Sequence, residues 1–455
     1  MCLKEVITCD TNMITIRILN NCTKSYRLFD VKIPLNCLKD CCFYSSFNSS
    51  YFKSEKSENL YNYLYTKILS CGPITVAEYM REVLTHPTAG YYMNKDVFGK
   101  KGDFITSPEI TQLFGEMIAV WMIYEKRKMS KGPFQIVELG PGRGTLMKDI
   151  LRVFKQLKVL SDISVHLVEI SPTLSSIQAK NLCKTTKEYD TTKNESEQNL
   201  IPHYREGVTA DGVNVYWYHS VMDLPKKFSI FLAHEFFDAL PIHKFQKTSS
   251  GWKEVLVDII EGSKEEKFRF VLSNTATPAT FYLSVRVSLY SCSEHVEVSP
   301  QTLVIIDHIA EYLWECGGFA LICDYGHSGD KTDTFRAFLQ HKIHDPLVRP
   351  GTADLTADVD FEAIKKVAEK NNRLITFGPV TQASFLTNLG IDVRLQMLLK
   401  NISEGEREQL ESEYQMIMDE NGMGTRFKVL SLFPSILKEY FQPLLIAGFY
   451  DKYKT

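Results

Sequence analysis

The sequence has no long apolar run and no excess of either charge. Its 455 residues include 52 lysines and arginines against 55 aspartates and glutamates, which gives a net charge of -3 at pH 7. No run of about 18 or more apolar residues occurs, so no membrane-spanning helix is predicted and we do not expect an integral membrane protein. The balanced charge does not favour a nucleic-acid partner. These absences leave a protein or a small molecule as the expected substrate.

The cysteines do not form the pattern of a zinc site. Seven of the eleven lie within the first 71 residues, and none of these belongs to a C-x-x-C pair or has histidines at zinc spacing. Their odd number and irregular spacing favour reduced thiols over disulfides. We therefore predict no metal site in this segment.

The first segment is also poor in acidic residues. Between residues 13 and 53, lysine and arginine occur six times and aspartate twice, among many serines and asparagines. This composition is typical of an organelle transit peptide, although Lys4, Glu5 and Asp10 depart from it if translation starts at Met1 rather than later. We predict a mitochondrial transit or disordered segment over residues 1–58. A disordered tail with no targeting role is the alternative.

A glycine-rich turn follows the first strongly apolar strand pattern, at residues 134–139. Glycine occurs at Gly140, Gly142 and Gly144, and apolar residues then recur at helical spacing. The third glycine comes two positions after the second, which departs from the dinucleotide fingerprint. The next strand ends near Glu169, whose carboxylate can accept hydrogen bonds from both hydroxyls of a ribose. Together these features predict an S-adenosylmethionine site, with a tight turn that binds no ligand as the alternative.

Strand and helix patterns alternate through most of the chain. The predicted fold is α/β: a class I, Rossmann-like, seven-stranded S-adenosylmethionine-dependent methyltransferase with an N-terminal helical cap, an inserted β-hairpin unit and extra C-terminal helices. The inserted hairpin is predicted from alternating runs at residues 252–260 and 267–272. The predicted parts are a cap at 59–133, a core at 134–242, the insertion at 243–300 and a second core part at 301–455.

Other polar residues are candidates for the cofactor site. Glu138 is placed to orient the glycine turn or the amino group of the cofactor. His219 and Ser220 follow the third predicted strand, where an adenine edge would lie. Ser107 stands in a turn-rich stretch, where it either joins the site or caps a helix that begins at Pro108.

Two acids follow the fourth predicted strand. Glu235 and Asp238 stand at its carboxyl end, where open parallel sheets bind their ligands, and His234 lies beside them. A carboxylate pair can hold a guanidinium group in a bidentate arrangement, so these three residues are the catalytic candidates. The alternative is that both acids cap the following turn. Other metal-ligating residue types occur at Asp324, His327, His341, His344 and Asp345. Their spacing does not favour a metal site, and no metal is expected.

Five stretches occur in the order found in one known family. They are GDFITSPEI at 102–110, VELGPGRGT at 137–145, HEFFDALP at 234–241, DYGH at 324–327 and GTADLTADVDF at 351–361. The sequence resembles the MidA family over roughly residues 60–450, and its mitochondrial members in particular. Five motifs in order are far more specific than one glycine turn.

The resemblance implies an S-adenosylmethionine-dependent enzyme of the mitochondrial matrix. It further implies a type II protein arginine methyltransferase that forms symmetric dimethylarginine on the 49 kDa iron–sulfur subunit (subunit 2) of complex I and so promotes complex I assembly. Two other functions stay open: a non-catalytic assembly chaperone that binds the cofactor, and a small-molecule methyltransferase. The intact glycine turn and both acids argue against the first, and the long loops argue weakly against the second.

Overall fold

The structure is a computed structural model. It describes residues 7–10, 13–20, 27–34, 60–93, 96, 106–189, 202–260, 268–284, 294–331, 333–400, 402–441 and 446–449. The chain divides into two units, residues 1–56 and 57–455.

The first unit contains a three-stranded antiparallel sheet. Its strands are β1 (Ile7–Asp10), β2 (Met13–Asn20) and β3 (Arg27–Pro34), with β2 in the centre. A transit or disordered segment at residues 1–58 stays a prediction.

The second unit contains the remaining strands. They are β4 (Ile74–Thr75), β5 (Phe134–Leu139), β6 (Ile163–Val168), β7 (Cys183–Glu188), β8 (Arg205–Thr209), β9 (Asn214–Tyr218), β10 (Ser229–His234), β11 (His243–Thr248), β12 (Gly251–Ile259), β13 (Phe268–Leu272), β14 (His295–Val298), β15 (Gly318–His327), β16 (Arg336–Leu339), β17 (Lys342–His344), β18 (Asp354–Thr356), β19 (Val359–Asp360), β20 (Leu374–Thr381) and β21 (Phe427–Pro434).

The helices of the second unit follow in the same way. They are α1 (Leu60–Cys71), α2 (Val76–Thr85), α3 (Ser107–Ile110), α4 (Gln112–Met129), α5 (Thr145–Gln156), α6 (Pro172–Leu182), α7 (Pro278–Ser284), α8 (Pro300–Cys316), α9 (Phe361–Ala368), α10 (Gln382–Leu389), α11 (Ile391–Leu399), α12 (Glu404–Met418), α13 (Met423–Arg426) and α14 (Lys438–Phe441). None of the described helices is long and apolar enough to cross a membrane. Side-chain caps begin several of them; Ser171, for example, accepts a hydrogen bond from the Leu174 N–H at the start of α6.

The large sheet has the strand order β20-β21-β15-β10-β5-β6-β9-β8-β7. The strands β15, β10, β5, β6 and β9 are parallel, and β21 is antiparallel to β15. The seven strands from β20 to β9 form the predicted Rossmann-like sheet, and the fold class is confirmed. The antiparallel strands β8 and β7 extend it at one edge.

Helices cover both faces of this sheet because its strands are apolar on both sides. Within β5, Ile136 packs in a core with helices α4, α5 and α6, whereas Val137 packs on the opposite face with helices α8 and α9. Both side chains are completely buried. Successive residues of a strand point to opposite faces, so a strand buried on both sides reads as a continuous apolar run.

The insertion is larger than the predicted hairpin. Strands β12 and β13 pair antiparallel, which confirms the hairpin, but β11 and β14 extend it into a sheet of order β13-β12-β11-β14. The short strand β4, about 180 residues earlier in the chain, also pairs with β12. Its side chains pack with those of α1, α2 and β18 in one apolar core, in which Leu64, Tyr79, Val257 and Leu355 are almost fully buried.

Two local predictions were wrong. The stretch 184–199 is polar and rich in lysine and glutamate, a composition that predicts a surface loop. Its first residues instead form the edge strand β7, whose backbone pairs with β8; residues 190–199 lie outside the described part. Ser107 does not cap a helix at Pro108. It is the first residue of α3, and Thr106 occupies the position before it. Thr111 caps the next helix by accepting a hydrogen bond from the Leu113 N–H.

A pair of glycine substitutions tests the packing of the sheet. Gly318 and Gly212 both have positive φ angles, 113° and 82°. A Cβ at Gly318 would lie 1.8 Å from the Ser229 carbonyl oxygen in β10, whereas one at Gly212 would meet nothing within 4 Å. We expect Gly212→Ala to lower the free energy of unfolding by about 1 kcal/mol through backbone strain alone. Gly318→Ala is expected to lower it by more than about 3 kcal/mol.

The measurement is the midpoint of urea unfolding for the two variants and the wild type. Equal midpoints for the two variants would contradict the close approach of β10 and β15 at Gly318.

Candidate functional site

The glycine turn connects β5 to α5 at the carboxyl edge of the sheet. The Gly140 N–H donates to the Val168 carbonyl at 3.0 Å, which ties the turn to the end of β6. Gly140 has a φ of 59°, and a Cβ there would lie 2.8 Å from Cδ2 of Phe236. A larger residue would therefore clash with the ring. Gly142 also has a positive φ, 54°, so the backbone of this turn can lie open to a ligand.

Glu169 follows β6 directly and is held by neighbouring groups. Its carboxyl oxygens accept hydrogen bonds from the Ser171 N–H at 2.7 Å and from Gln178 Nε2 at 3.0 Å. Nε2 of Gln178 also donates to the Gly142 carbonyl at 2.7 Å, and its Oε1 accepts from Trp217 at 2.9 Å. Burial raises the pKa of Glu169 to about 7. Gln178 thus links the predicted ribose acid to the glycine turn, a role that the sequence did not indicate.

These elements border a cavity of about 290 Å³. Its lining residues come from widely separated parts of the chain: Leu84, Thr85, Tyr92, Thr106, Gly140, Gly142, Glu169, Ile170, Leu174, Glu235, Phe236, Asp238, Ala239, Leu240, Tyr325, Phe338, His341, Asp354 and Thr356. The cavity lies at the carboxyl ends of the parallel strands, which is where open sheets bind ligands. It brings Gly140, Gly142 and Glu169 to the same place as the two predicted catalytic acids, Glu235 and Asp238.

A second cavity, of about 40 Å³, shares part of this lining. Thr106, Gly140, Gly142 and Glu235 line both cavities. Glu138, which lines only the smaller one, is almost fully buried, and its Oε2 has no hydrogen-bond partner. Burial raises the pKa of Glu138 to about 8. A buried acceptor without a partner next to the glycine turn suits a ligand that carries a hydrogen-bond donor, such as an ammonium group.

The other predicted cofactor residues do not line either cavity. Gly144 lies at the start of α5, where a Cβ would be 3.3 Å from Cδ1 of Leu182. Ser107 is buried, with its hydroxyl 3.4 Å from Gln382. His219 stacks on the ring of Tyr204 with centroids 4.1 Å apart.

The position of His219 is nevertheless close to the ribose acid. The hydroxyl of Tyr204 donates to the Glu169 carbonyl at 2.9 Å, so the stacked pair lies against the end of β6. Ser220 accepts a hydrogen bond from the Met222 N–H and caps a short 3-10 turn. The adenine role of His219 and Ser220 stays a prediction.

A buried acid holds the turn that carries the catalytic candidates. Oδ2 of Asp324, at the end of β15, accepts hydrogen bonds from the Phe236 and Phe237 N–H groups at 3.1 and 2.9 Å. Glu235 has a φ of 49°, a left-handed conformation that is uncommon outside glycine. The bonds to Asp324 stabilise this turn after β10. The side chain of Asp324 is completely buried, so the sequence candidate for a metal ligand has a structural role here.

The two acids of the turn face the larger cavity. Asp238 is buried and accepts a hydrogen bond from the Thr356 hydroxyl at 3.1 Å. Burial raises the pKa of Asp238 to about 6. Burial and the charge of Asp238 raise the pKa of Glu235 well above its usual range, and one carboxyl oxygen of Glu235 has no partner. A cation bound beside these carboxyl groups would favour their ionised forms and so offset the effect of burial.

His234 is buried between aromatic rings. Its ring centroid lies 4.9 Å from that of Phe114 and 6.0 Å from that of Phe427. Burial lowers the pKa of His234 to about 3, so the imidazole is neutral at physiological pH. Nδ1 lies 3.7 Å from Oε1 of Glu235. His234 therefore lies next to Glu235 but does not line the larger cavity.

Several residues that line the larger cavity were not predicted from the sequence. Tyr92, Tyr325 and Phe338 add aromatic rings, and Asp354 adds a third carboxyl group. The signal for Asp354 lies in the stretch 351–361, where alternate polar side chains fit one face of a short strand. Nothing in the sequence places that strand at the cavity. Within the described part of the chain, no three histidine, cysteine, aspartate or glutamate side chains form a group that could hold a metal ion.

The sheet order, the open glycine turn and the buried acid after the second strand fit S-adenosylmethionine. Gly140 and Gly142 would lie along its methionine part, and Glu169 would accept the hydroxyls of its ribose. This combination defines a class I S-adenosylmethionine-dependent methyltransferase.

Comparison with known proteins identifies the family. Residues 117–380 match the family model Methyltransf_28, described as "Putative S-adenosyl-L-methionine-dependent methyltransferase". The chain therefore belongs to this family, the MidA family whose motifs it carries, and S-adenosylmethionine is its methyl donor.

Relatives with assigned names are similar over most of their length. The Homo sapiens "Protein arginine methyltransferase NDUFAF7, mitochondrial" is 51% identical over 396 residues, which cover 84% of this chain and 87% of that protein. The Drosophila melanogaster homolog of that protein is 49% identical over 390 residues, with coverage of 85% and 87%. A Burkholderia thailandensis protein crystallised with S-adenosyl-homocysteine is 26% identical, with a TM-score of 0.67 and coverage of 84% and 93%.

The protonation of Glu169 predicts a pH dependence of cofactor binding. Ribose hydroxyls would donate hydrogen bonds to the ionised carboxylate of Glu169. Because the pKa of Glu169 is about 7, most molecules carry the protonated form of this side chain at pH 6. Loss of that proton favours binding as the pH rises. We therefore expect the association constant for S-adenosylmethionine to increase about tenfold between pH 6 and pH 8.

The measurement is isothermal titration calorimetry at several pH values. Glu169→Gln is the control, since it keeps every other titrating group, including the amino group of the cofactor. We expect weaker binding and a smaller rise in this variant, because Glu138, with a pKa of about 8, still titrates in it. A wild-type and variant pair with parallel pH profiles would rule out the ribose role of Glu169.

Proposed function

We propose that this protein is a mitochondrial protein arginine N-methyltransferase. The finer proposal is a type II enzyme of the matrix that forms symmetric dimethylarginine on the 49 kDa iron–sulfur subunit of complex I and so promotes its assembly. The names of the relatives support the reaction and the organelle. The basic, acid-poor composition of residues 13–53 supports import, and the MidA resemblance supports the choice of substrate.

One observation carries the reaction: buried carboxyl groups face the cavity that the glycine turn and the ribose acid also line. Glu235 and Asp238 lie on the same turn, and both line the larger cavity together with Gly140 and Gly142. A methyl acceptor bound by the two acids would therefore lie beside the cofactor. Buried acids of this kind select a cationic substrate group.

The geometry suits a guanidinium group. An arginine side chain carries five N–H donors in one plane and is protonated at neutral pH. Glu235 and Asp238 would accept two or more of these bonds, hold the group in line with the methyl donor and draw its positive charge away from the attacking nitrogen. S-adenosylmethionine supplies an electrophilic methyl group on a positively charged sulfur.

The acids also account for the released proton. When the new N–C bond forms and the S–C bond breaks, the guanidinium nitrogen must lose one proton. Glu235 is suited to accept it, because burial keeps the affinity of its carboxylate for a proton high. Its Oε1, which has no hydrogen-bond partner, is free to receive the proton. The turn held by Asp324 thus positions a group that both orients the substrate and takes up the proton.

Two substitutions test the proposal. Asp238→Asn and Glu235→Gln keep the shape of each side chain but remove its charge. We expect each to lower the rate of methyl transfer to the 49 kDa subunit by at least about 100-fold, since one aligned charged group commonly contributes this much. Binding of S-adenosylmethionine should persist in Asp238→Asn. Asp258→Asn, in the inserted sheet away from the cavity, is the matched control.

The measurement is transfer of a labelled methyl group, with mass spectrometry to identify the methylated residue. A non-catalytic chaperone would leave wild-type protein without transfer activity and would tolerate both variants in a complex I assembly assay. Methylation confined to small molecules would indicate a small-molecule methyltransferase instead. Symmetric dimethylation predicts mass spectra in which each of the two terminal guanidinium nitrogens carries one methyl group.

A further inference from the structure

Asp354 is a third acid beside the two catalytic candidates. It begins β18, is 5% exposed, and its Oδ1 accepts a hydrogen bond from the Tyr92 hydroxyl at 2.7 Å. Thr356, two residues later, donates to Asp238 at 3.1 Å. Because alternate residues of a strand share one face, β18 directs both side chains to the same cavity. The lining of the larger cavity includes Asp354, Thr356 and Tyr92.

The charges of these groups act on one another. The charge of Asp354 contributes to the raised pKa of Glu235, after burial and the charge of Asp238. Burial raises the pKa of Tyr92, and the charges of Asp354 and Asp238 raise it further. All three acids line the same cavity, so a ligand with donors on several edges can reach more than one of them, although they do not form a metal-ion site. Tyr92 stays protonated, so its hydroxyl can donate to Asp354 at any physiological pH.

The number of acceptors fits a guanidinium better than an ammonium group. Glu235 and Asp238 together offer two carboxyl groups, and a guanidinium has five donors spread over a plane. A lysine ammonium has three donors on one atom and needs fewer acceptors. The aromatic rings of Phe236 and Tyr325 also line the cavity and can stack on a planar cation. The ring of Phe338 lines it too, but the guanidinium of Arg336 already lies 5.5 Å from its centroid.

We propose that Asp354 is a specificity-determining residue that accepts an N–H of the substrate guanidinium together with Glu235 and Asp238, and that Tyr92 positions it. This inference rests on the proposed function. Asp354 and Tyr92 are 262 residues apart in sequence, so the pair joins the stretch after α2 to the strand β18 at the substrate end of the cavity.

The test separates the charge of Asp354 from its hydrogen bond. Asp354→Asn removes the charge but keeps an oxygen that can accept from Tyr92. Tyr92→Phe removes the bond and keeps the charge. We expect Asp354→Asn to raise the KM for an arginine-containing peptide of the 49 kDa subunit at least tenfold. The ratio of kcat/KM for this peptide to kcat/KM for the same peptide with lysine in place of the arginine should also fall. Tyr92→Phe should raise that KM about threefold.

Cofactor binding and thermal unfolding show whether the variants are folded. The S-adenosylmethionine Kd of both variants should stay within about twofold of the wild-type value. If the wild type methylates the arginine peptide and Asp354→Asn has an unchanged KM, the inference is wrong and the proposed function stands. If KM and the cofactor Kd rise together, Asp354 has a structural role and the inference is also wrong. If the wild type methylates no arginine peptide, both proposals are wrong.

Discussion

The candidate site depends on the hydrogen bonds that Asp324 accepts from the turn after β10. That turn contains Glu235 in a left-handed conformation, which costs free energy in a residue other than glycine. The buried carboxyl group of Asp324 stabilises it by accepting the next two backbone N–H groups. Since Asp324 lies on β15, the neighbouring strand of β10, the central sheet itself sets the direction in which Glu235 and Asp238 point. The acids are therefore placed by a rigid element rather than by a free loop.

The wall opposite this turn belongs to another part of the fold. Tyr92 follows α2, and Asp354 and Thr356 belong to β18; both regions contribute to the apolar core that includes the inserted sheet. Ala357 donates its N–H to the Asp238 carbonyl at 3.0 Å, which joins this wall to the acidic turn. The insertion thus supports one side of the cavity through the core that it shares with α2 and β18.

Part of the cavity lining could be predicted from the sequence because its signals are local. Gly140, Gly142 and Glu169 lie in short strand–turn patterns, and each lines the cavity. Ser107 and Gly144 lie outside the lining, since helical packing fixes them against neighbouring side chains. The contribution of Tyr92 and Asp354 could not be predicted, because their hydrogen bond depends on the assembly of segments that are far apart in the chain. The inserted sheet was underestimated for a different reason: β4 and β14, with two and four residues, are too short to give a clear alternation.

Glu235 lines both the larger and the smaller cavity, so a ligand in either one would meet the same carboxyl group. If two ligands each bind one ionisation state of Glu235 more tightly, each must change the affinity of the other by the same factor. A sulfonium and a guanidinium are both cations, whereas the demethylated cofactor carries a neutral sulfur. Under the proposed function, the cofactor would lose its positive charge beside these acids when the methyl group leaves the sulfur. We expect the order of substrate binding and product departure to follow from this electrostatic linkage rather than from movement of a domain.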